Sequence, residues 1–314
     1  MIVSAQKAAE LIREGQVVAI PTETVYGLAA DATNIQAVRH IFELKGRPPD
    51  NPLIVHVAEI NQVASFTDDR PDILFKLIDR FWPGPLTFVL SKKASVLDII
   101  TAGLDTVALR MPDHPKALSV IKKTGPVAAP SANRSGRPSP TRPEHITLDF
   151  GDDLPVIDGG PCSIGLESTV LDLSGYIPTI LRPGKITADQ IEDMLDIKVL
   201  REPAGENQIR RSPGTRYSHY KPNASVSWMS SIESIRSYQP DTLYIFHTQS
   251  PKITDDNIIT FEGNYLDFAK SLYDLYRTAD KRNYKKIFIE PLPDTTLSPI
   301  IPALLNRIQR SVSH

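Results

Sequence analysis

The placement of the prolines constrains what this chain can fold into more than any other feature of its sequence. The 314 residues contain 27 prolines against 16 glycines, and many of the prolines follow or interrupt short apolar runs. Because proline fixes φ and restricts the residue before it, these runs predict short strands that end in stiff loops, which are suited to holding a ligand. The prolines concerned are Pro21, Pro52, Pro83, Pro85, Pro112, Pro130, Pro138, Pro140, Pro161 and Pro183.

Helical and extended patterns alternate over the first two hundred residues. Apolar residues at helical spacing predict helices at 5–14, 34–45, 71–82, 114–123 and 188–195, with Asn34 and Thr187 as caps. Short apolar runs predict strands at 17–20, 53–57, 86–90, 106–111, 127–129, 154–157, 169–173 and 179–181. This interleaving indicates an α/β or α+β class with a mixed sheet.

The apolar periodicity stops at residues 202–223, which we expect to link a domain at 1–201 to a small α/β domain at 224–314. In the second domain we predict strands at 225–229, 242–246 and 286–289 and helices at 266–279 and 300–308. Such a linker is usually a plain spacer, but flexible spacers rarely contain aromatic residues. Here aromatic and basic side chains interleave, and Glu206 is the acidic residue nearest to them in the linker. They are Arg210, Arg211, Arg216, Tyr217, Tyr220 and Lys221.

Composition excludes several classes of protein. The 35 Lys and Arg against 37 Asp and Glu give a net charge of −2, so bulk charge indicates no partner. The single Cys162 can form neither an internal disulfide nor a cysteine-rich metal site. No segment approaches the roughly 20 apolar residues of a membrane span, and the first residues predict an amphipathic helix rather than a signal peptide. We therefore expect a cytoplasmic protein with no membrane contact.

The common signatures of nucleotide, metal and hydrolase sites are missing from the sequence. It contains no GxxxxGK[ST] or GxGxxG phosphate loop, no HExxH pair and no GxSxG elbow. Polar clusters at the ends of the predicted strands remain, and open α/β sheets bind their ligands at such ends.

The first two clusters are near the N-terminus, and each has two interpretations. The first is either a polar turn or part of a site. The second either complements the negative end of a helix or binds a polyphosphate, for which Arg and Lys are the preferred side chains. The first consists of Thr22, Glu23, Thr24 and Tyr26. The second consists of Lys45, Arg47 and Asn51.

A third cluster fills one proline-bounded loop with hydroxyls, an amide and two arginines, a composition that favours an anion-binding concavity. Its members are Ser131, Asn133, Arg134, Ser135, Arg137 and Ser139.

Three further positions carry single candidates. Arg110 lies in an apolar run and must be paired, either with Asp105 or Glu167 or with a substrate carboxylate. Ser168 lies directly before the predicted strand at 169–173, and Arg182 lies directly after the one at 179–181. His56, in the centre of a strand, is by position more typical of a hydrogen-bonded core histidine. Their residue types alone leave these alternatives open.

Taken in order, these segments resemble the YrdC-type family. The tail 212–222 followed by a further domain is similar to the longer, two-domain threonylcarbamoyl-AMP synthases of that family. One departure is Thr215, where the family pattern has a methionine. The resemblance is carried by 21–28, 45–47, 51–54, 82–87, Arg110, 130–133, 135–136, 167–170, 182–184 and 212–222.

The resemblance implies a YrdC-like twisted mixed sheet with a large concave pocket and a small Rossmann-like C-terminal domain. It also implies a nucleotidyltransferase that makes threonylcarbamoyl-AMP and pyrophosphate from L-threonine, bicarbonate or CO₂, and ATP. Mg²⁺ would arrive with the ATP phosphates rather than on protein ligands. The product would pass to a tRNA threonylcarbamoyl transferase, with contact to tRNA or double-stranded RNA as a further expected property.

The resemblance also assigns roles, with Lys45 and Arg47 as the catalytic pair. Tyr220 and the linker would close over the nucleotide. The residues implied for ATP are Lys45, Arg47, Asn51, Thr106, Ser131, Asn133, Ser139, Arg182 and Tyr220. Those implied for L-threonine are Thr24, His56, Arg110, Ala129 and Ser168.

Two other functions compete with this one. A carbamoyl-adenylate enzyme of hydrogenase maturation also uses a YrdC-like domain, but such chains carry zinc-finger cysteines and this one has only Cys162. An RNA-binding module without adenylate synthesis could hold a phosphate backbone with Lys45, Arg47, Arg134 and Arg137, and its binding would depend on salt.

Overall fold

Two sheets organise the chain in its computed structural model. The structure describes residues 1–203, 208, 211, 220–230, 238–248, 255–293 and 297–312. Within these ranges an eight-stranded sheet and a four-stranded sheet lie in the segments expected to form the first and second domains. The predicted residues Glu206, Arg210, Thr215, Arg216 and Tyr217 lie outside the described ranges.

The first sheet is mixed, as the interleaved pattern predicts. Its strand order is β1-β2-β6-β3-β5-β4-β7-β8; the pairs β3 with β5 and β4 with β7 are parallel and the others antiparallel. The strands are β1 (Val18–Ile20), β2 (Gly27–Asp31), β3 (Ile54–His56), β4 (Leu86–Ser91), β5 (Thr106–Arg110), β6 (Val127–Ala128), β7 (Thr169–Asp172) and β8 (Thr179–Arg182).

The predicted helices are confirmed, with local capping signals at their ends. Asn34 Oδ1 accepts bonds from two backbone N–H groups at the start of α2, and Gly46 ends that helix in the left-handed conformation. Thr187 forms a capping box with Gln190 at the start of α7. The helices are α1 (Ala5–Arg13), α2 (Ile35–Lys45), α3 (Asp72–Phe81), α4 (Asp98–Thr101), α5 (Pro115–Thr124), α6 (Pro143–Phe150) and α7 (Ala188–Leu195), with a 3₁₀ helix at Ile60–Ser65.

The structure differs from the sequence-based elements at several places. The strand predicted at 154–157 is wrong: Val156 makes only isolated bridges to Ile2 and Ala19, because Pro155 has no N–H for a continuous ladder. The pattern also missed α4, α6, the 3₁₀ helix and β2. The sequence of β2, GLAAD, is rich in small residues that carry little strand signal.

The arrangement of helices leaves part of one sheet face open for a site. Apolar residues of α2 and α3 pack on one face with alternate residues of β4 and β5. On the other face, α1 and α5 pack over β1 and β6. The remainder of that face carries a small apolar cluster that includes Ile54 and Ala108. His56 and Arg110 extend the same rows, because Ile54 pairs with Ala108 and His56 with Arg110 in the register of β3 and β5.

The second sheet is parallel throughout, in the order β11-β10-β12-β9. Its predicted strands and helices are confirmed, and β11 is an addition. Its core is formed by the inner faces of its strands and two helices, together with Tyr220 and with Val25 and Leu166 of the first domain. The elements are β9 (Ser225–Trp228), β10 (Thr242–Phe246), β11 (Ile258–Thr260), β12 (Lys286–Ile289), α8 (Tyr265–Lys281) and α9 (Ile301–Ser311). None of the helices in the described ranges has both the length and the apolar composition needed to cross a membrane.

Candidate active site

A polar cavity lies over the open face of the first sheet. The space between its walls, including the part that is open to solvent, is about 720 Å³. Most of the residues implied for the site line it. They are Thr24, Lys45, Arg47, His56, Arg110, Ala129, Ser131, Asn133, Ser168, Arg182 and Tyr220.

Three of the implied residues are not part of the cavity wall. Ser139 is buried behind it and donates to the carboxylate of Glu167, which does line the cavity. Asn51 is buried, and its carbonyl accepts a bond from Arg47. Thr106 begins β5, opposite Ser91.

Lys45 is the last residue of α2 and is buried beside the loop that follows β6. Its Nζ donates to the carbonyls of Ser131 and Asn133, both at 2.6 Å. Burial, and then the neighbouring charge of Arg47, holds the pKa of Lys45 well below its usual range. The helix end therefore fixes an amine at the floor of the cavity.

Arg47 enters the cavity because Gly46 turns the chain at the end of α2. Its Nε donates to the Asn51 carbonyl at 3.2 Å and its Nη2 to the Pro52 carbonyl at 2.8 Å. Burial is the main cause that lowers the pKa of Arg47 to about 10, so the guanidinium stays charged at neutral pH. These bonds orient the charge without neutralising it.

The loop after β6 is held together by its own side chains. Asn133 accepts from Ser131 Oγ at 2.5 Å and donates to the carbonyls of Arg134 and Arg137. The expectation that both arginines belong to the anion site is wrong. Arg134 Nε donates to the backbone carbonyl of Asp149, Arg137 forms an ion pair with Asp280 at 3.5 Å, and neither lines the cavity. The four cations of the RNA-binding alternative therefore do not share one concave surface.

Arg110 is paired, but with neither of the predicted partners. Its Nη2 donates to Glu23 Oε1 at 2.6 Å and its Nη1 to Thr24 Oγ1 at 2.9 Å, while Nε bonds to the Gly84 carbonyl. The pairings with Asp105 and Glu167 are wrong, because the turn after β1 brings Glu23 to the end of β5. Both partners of this ion pair are buried.

The turn after β1 contains the first cluster, and it is both a polar turn and part of the cavity wall. Thr22 Oγ1 bonds to Thr24 Oγ1 and to the Val25 carbonyl, as in an ordinary polar turn. Thr24 also lines the cavity and contacts Arg110. The turn therefore presents Thr24 to the cavity and Glu23 to the arginine.

His56 is not the hydrogen-bonded core histidine that its strand position favours. It lines the cavity and is 4% exposed, and its Nδ1 has no hydrogen-bond partner among the described residues. Burial, and then the charge of Arg110, lowers the pKa of His56 to about 3. The ring is therefore neutral at physiological pH.

Ser168 and Arg182 meet across β7 and β8. Arg182 donates to the Ser168 carbonyl at 3.1 Å and to its Oγ at 3.2 Å, and Thr87 Oγ1 bonds to the same hydroxyl. Burial lowers the pKa of Arg182. Gly184 follows closely, and a side chain there would meet the Thr169 backbone at 2.3 Å. The Arg-Pro-Gly segment therefore combines a buried cation with a close backbone contact.

Glu167 connects the cavity to the second domain, and this connection was missed from the sequence. It accepts from Ser139 Oγ at 2.6 Å, from Arg307 Nε at 2.7 Å and from the Tyr273 hydroxyl at 3.1 Å. The Tyr220 ring stacks on Tyr273, with centroids 5.3 Å apart, and the Arg307 guanidinium lies 5.6 Å from the Tyr220 ring centre. The sequence held one sign of this connection. Arg307 is a charged residue between Leu304 and Ile308 on an otherwise apolar helix face.

Acidic side chains do not form a metal site in the part of the chain that the structure describes. No three His, Cys, Asp or Glu side chains come together there as a metal ion would require. The two carboxylates near the cavity, Glu23 and Glu167, are each held by an arginine.

Comparison with known proteins gives the family. A model of the Sua5/YciO/YrdC family, described as "Telomere recombination", matches residues 10–184. The chain belongs to the Sua5/YciO/YrdC family. A second model, the C-terminal domain of threonylcarbamoyl-AMP synthase, matches residues 186–313. Together the two matches cover both sheets.

Similarity to individual members of the Sua5/YciO/YrdC family extends over nearly the whole chain. The threonylcarbamoyl-AMP synthase of Bacillus subtilis is 42% identical, over 97% of this chain and 92% of that protein. The protein of the same name from Pyrococcus abyssi is 39% identical with the same coverage. The crystal structure of P. abyssi Sua5 complexed with L-threonine matches with a TM-score of 0.84 and 34% identity, over all of both chains.

Proposed function

We infer that the protein is a threonylcarbamoyl-AMP synthase, an adenylate-forming nucleotidyltransferase. It makes threonylcarbamoyl-AMP and pyrophosphate from L-threonine, bicarbonate or CO₂, and ATP, for threonylcarbamoyladenosine modification of tRNA. The observation that carries this conclusion is full-length similarity to two proteins of that name, one of them crystallised with L-threonine. The cavity supports it, because one wall carries Arg47 and Arg182 and the other carries polar groups beside the Arg110–Glu23 ion pair.

Under this proposal, one half of the cavity holds the nucleotide. Lys45, Arg47 and Arg182 would contact the phosphates as charged donors, which form stronger hydrogen bonds than neutral ones. Ser131 and Tyr220, both in the wall, would complete this nucleotide half. Asn51, Thr106, Asn133 and Ser139 would contribute through the loops that they support.

The other half would hold L-threonine. Each terminal nitrogen of Arg110 carries two N–H groups, and one on each is used for Thr24 or Glu23. The second N–H on each nitrogen could bind the two oxygens of the threonine carboxylate. The unpartnered nitrogen of His56 is available to a polar group of the substrate. Thr24, Ser168 and the backbone at Ala129 would complete this threonine half.

The chemistry requires no enzyme nucleophile. The threonine amine adds to CO₂, loses a proton and becomes a carbamate. A carbamate oxygen then attacks the α-phosphorus, the bond from that phosphorus to the β-phosphate oxygen breaks, and pyrophosphate leaves. Lys45 and Arg47 would stabilise the charge on the phosphates. Positioning alone can contribute roughly 7–11 kcal/mol to such a step.

Several narrower statements belong to the same proposal. Mg²⁺ would enter on the ATP phosphates, since both nearby carboxylates are held by arginines. The product is an easily hydrolysed mixed anhydride, which suits passage to a tRNA threonylcarbamoyl transferase, contact with tRNA or double-stranded RNA, and a cytoplasmic location. Tyr220 would close the cavity as part of the linker at 202–223.

The C-terminal domain is proposed to be Rossmann-like, with domain boundaries at 201/202 and 223/224. Its four parallel strands support this class. Their order, third-second-fourth-first along this domain, differs from the third-second-first order at the start of the common Rossmann sheet.

Pyrophosphate release tests the proposed function. The wild-type protein should release pyrophosphate only when ATP, L-threonine and bicarbonate are all present. Arg182→Ala should abolish that release while its circular dichroism spectrum stays unchanged. Wild-type turnover without threonine, or undiminished turnover in Arg182→Ala, would contradict the assignment.

A further inference from the structure

The two helices of the second domain contact the cavity wall through one carboxylate. Arg307 of α9 bonds to Glu167 at 2.7 Å, and Tyr273 of α8 bonds to it at 3.1 Å. Glu167 lines the cavity, whereas the two residues that hold it lie behind the wall. A residue of the C-terminal domain is therefore one contact away from the proposed ATP site.

We propose that Arg307 is a positioning residue of the nucleotide half: it neutralises and orients Glu167, so that the ATP phosphates meet no opposing negative charge. This inference rests on the function proposed above. It gives the C-terminal domain a part in ATP binding without placing any of its residues in the cavity wall.

Stability does not account for an arginine at this position. Arg307 is fully buried, and its Nη2 has no hydrogen-bond partner among the described residues. A buried donor without a partner lowers stability, and a buried ion pair is often no better than apolar packing. Its neighbours on the same face of α9, Leu304 and Ile308, are apolar and fully buried. An aliphatic residue would suit this packing if packing were all that mattered.

The charges around Glu167 explain what Arg307 does. Burial alone would raise the pKa of the Glu167 carboxyl, but the charges of Arg307 and Arg182 and the hydrogen bonds from Arg307 and Ser139 outweigh it, and the pKa is lowered. The carboxylate thus stays ionised beside the phosphate-binding cations. The titratable and charged groups that face it are Arg307 and Arg310 from α9, Tyr273 from α8, Arg182 from β8, and Tyr220.

Arg307 also supports the proposed lid residue. Tyr220 stacks on Tyr273 and its ring faces the Arg307 guanidinium at 5.6 Å, a distance at which a cation attracts an aromatic face. Loss of the guanidinium would therefore remove this contact with the Tyr220 ring as well as the counter-ion of Glu167.

To test this role, ATP affinity is measured by calorimetry on the full chain, for wild type and for single and double variants. Arg307→Met should weaken ATP binding by about tenfold or more at pH 8, as an uncompensated charge near the phosphates predicts. Arg307→Lys should bind ATP within about threefold of wild type, because it keeps the charge. The double variant Glu167→Gln with Arg307→Met should bind ATP within about threefold of wild type, because both leave no net charge at this contact.

A matched control separates this effect from docking of the two domains. Arg277 is another buried arginine of the second domain, paired across the interface with Asp149 at 2.8 Å. Arg277→Met should lower the melting temperature as Arg307→Met does, but adding Glu167→Gln should not restore any ATP affinity that it loses.

A pH series gives a second readout that a purely structural role would not move. Without Arg307 the pKa of Glu167 rises, so ATP affinity in Arg307→Met should improve as the pH falls from 8 to 5.5 and the carboxylate takes up a proton. Wild type should show no such gain, because the lowered pKa of its Glu167 lies below that window.

The outcomes distinguish this inference from the proposed function. If wild type binds no ATP, the proposed function fails. If wild type binds ATP and Arg307→Met binds it equally well, only the positioning role fails. Should Arg307→Met not fold, the comparison of the double variant with wild type decides: affinities within about threefold support the role, and a tenfold loss in the double variant overturns it.

Discussion

The charged side chains in the two halves of the cavity have different partners. In the threonine half, Arg110 is paired with Glu23 at 2.6 Å and the nearby His56 is neutral. In the proposed nucleotide half, Arg47 bonds to two backbone carbonyls, which orient the guanidinium but leave its charge in place. One half is close to electrically neutral and the other is positive.

This difference matches the charges of the two substrates. A zwitterion such as L-threonine carries no net charge and gains most from fixed donors and acceptors, whereas a triphosphate gains from uncompensated cations. Charge-removing substitutions in the two halves should therefore have different consequences. The predictions below use that contrast.

The largest effect is expected for Arg47→Ala. Removal of one fixed charged donor should lower kcat/KM for ATP by about 100- to 1,000-fold. Enzymes that lose one preorganised donor from an oxyanion hole lose activity by a similar factor. The KM for threonine should change by less than about threefold, because the Arg47 side chain bonds to Asn51 and Pro52 in its own loop, apart from the proposed threonine half. Steady-state pyrophosphate release with each substrate varied in turn measures both values.

The matched control for Arg47→Ala is Arg201→Ala. Arg201 is half exposed and pairs with Asp189 and Glu192 away from the cavity, so its loss should leave both constants unchanged. A rise in the KM for threonine as large as the rise in the KM for ATP in Arg47→Ala would break the distinction between the halves.

A smaller effect, mainly on stability, is expected for Glu23→Gln. It leaves Arg110 buried without its counter-ion, and loss of one partner of such a pair costs about 3 kcal/mol or more. The threonine carboxylate can then take the place of Glu23. Saturating L-threonine should therefore raise the melting temperature of Glu23→Gln by more than it raises that of wild type.

Calorimetric melting with and without threonine checks this. Glu192→Gln, which affects an ion pair outside the cavity, should show the wild-type threonine shift. A threonine shift in Glu23→Gln that is no larger than that of wild type would contradict the carboxylate role of Arg110.

The smallest effect concerns pH. The pKa of His56 is lowered to about 3, so the unfolded chain binds a proton at His56 below about pH 6.5 that the folded chain does not bind. Stability is therefore lost as the pH falls through this window, by about 1.4 kcal/mol per pH unit from His56. His56→Asn should flatten that slope in urea melts between pH 6 and 4, and His40→Asn, at an exposed histidine, should not. An unchanged slope in His56→Asn would contradict the buried, neutral ring.

The parts of this molecule that local chemistry controls could be predicted from the sequence. The helix α2 begins at Asn34 and ends at Gly46 because both capping signals are local. The same holds for Thr187 at the start of α7. The polar residues at strand ends converged because strands of one sheet bring their ends together.

Pairings between distant segments could not be predicted in the same way. Glu23 and Arg110 are 87 residues apart. From the sequence, Asp105 and Glu167 were equally good partners for Arg110. Arg307 and Glu167 are 140 residues apart and belong to different domains. Arg134 and Arg137 fit the composition of an anion loop, yet α6 and α8 supply the acids that they contact.

The most direct test follows the carbon that joins the two substrates. Wild-type protein incubated with ATP, L-threonine and ¹³C-bicarbonate should yield, by mass spectrometry of the quenched mixture, a threonylcarbamoyl-adenylate one mass unit heavier than the unlabelled compound. Omission of any one substrate should remove it. Pyrophosphate release without a labelled adenylate, or a labelled adenylate that forms without threonine, would contradict the proposal that this cavity makes threonylcarbamoyl-AMP.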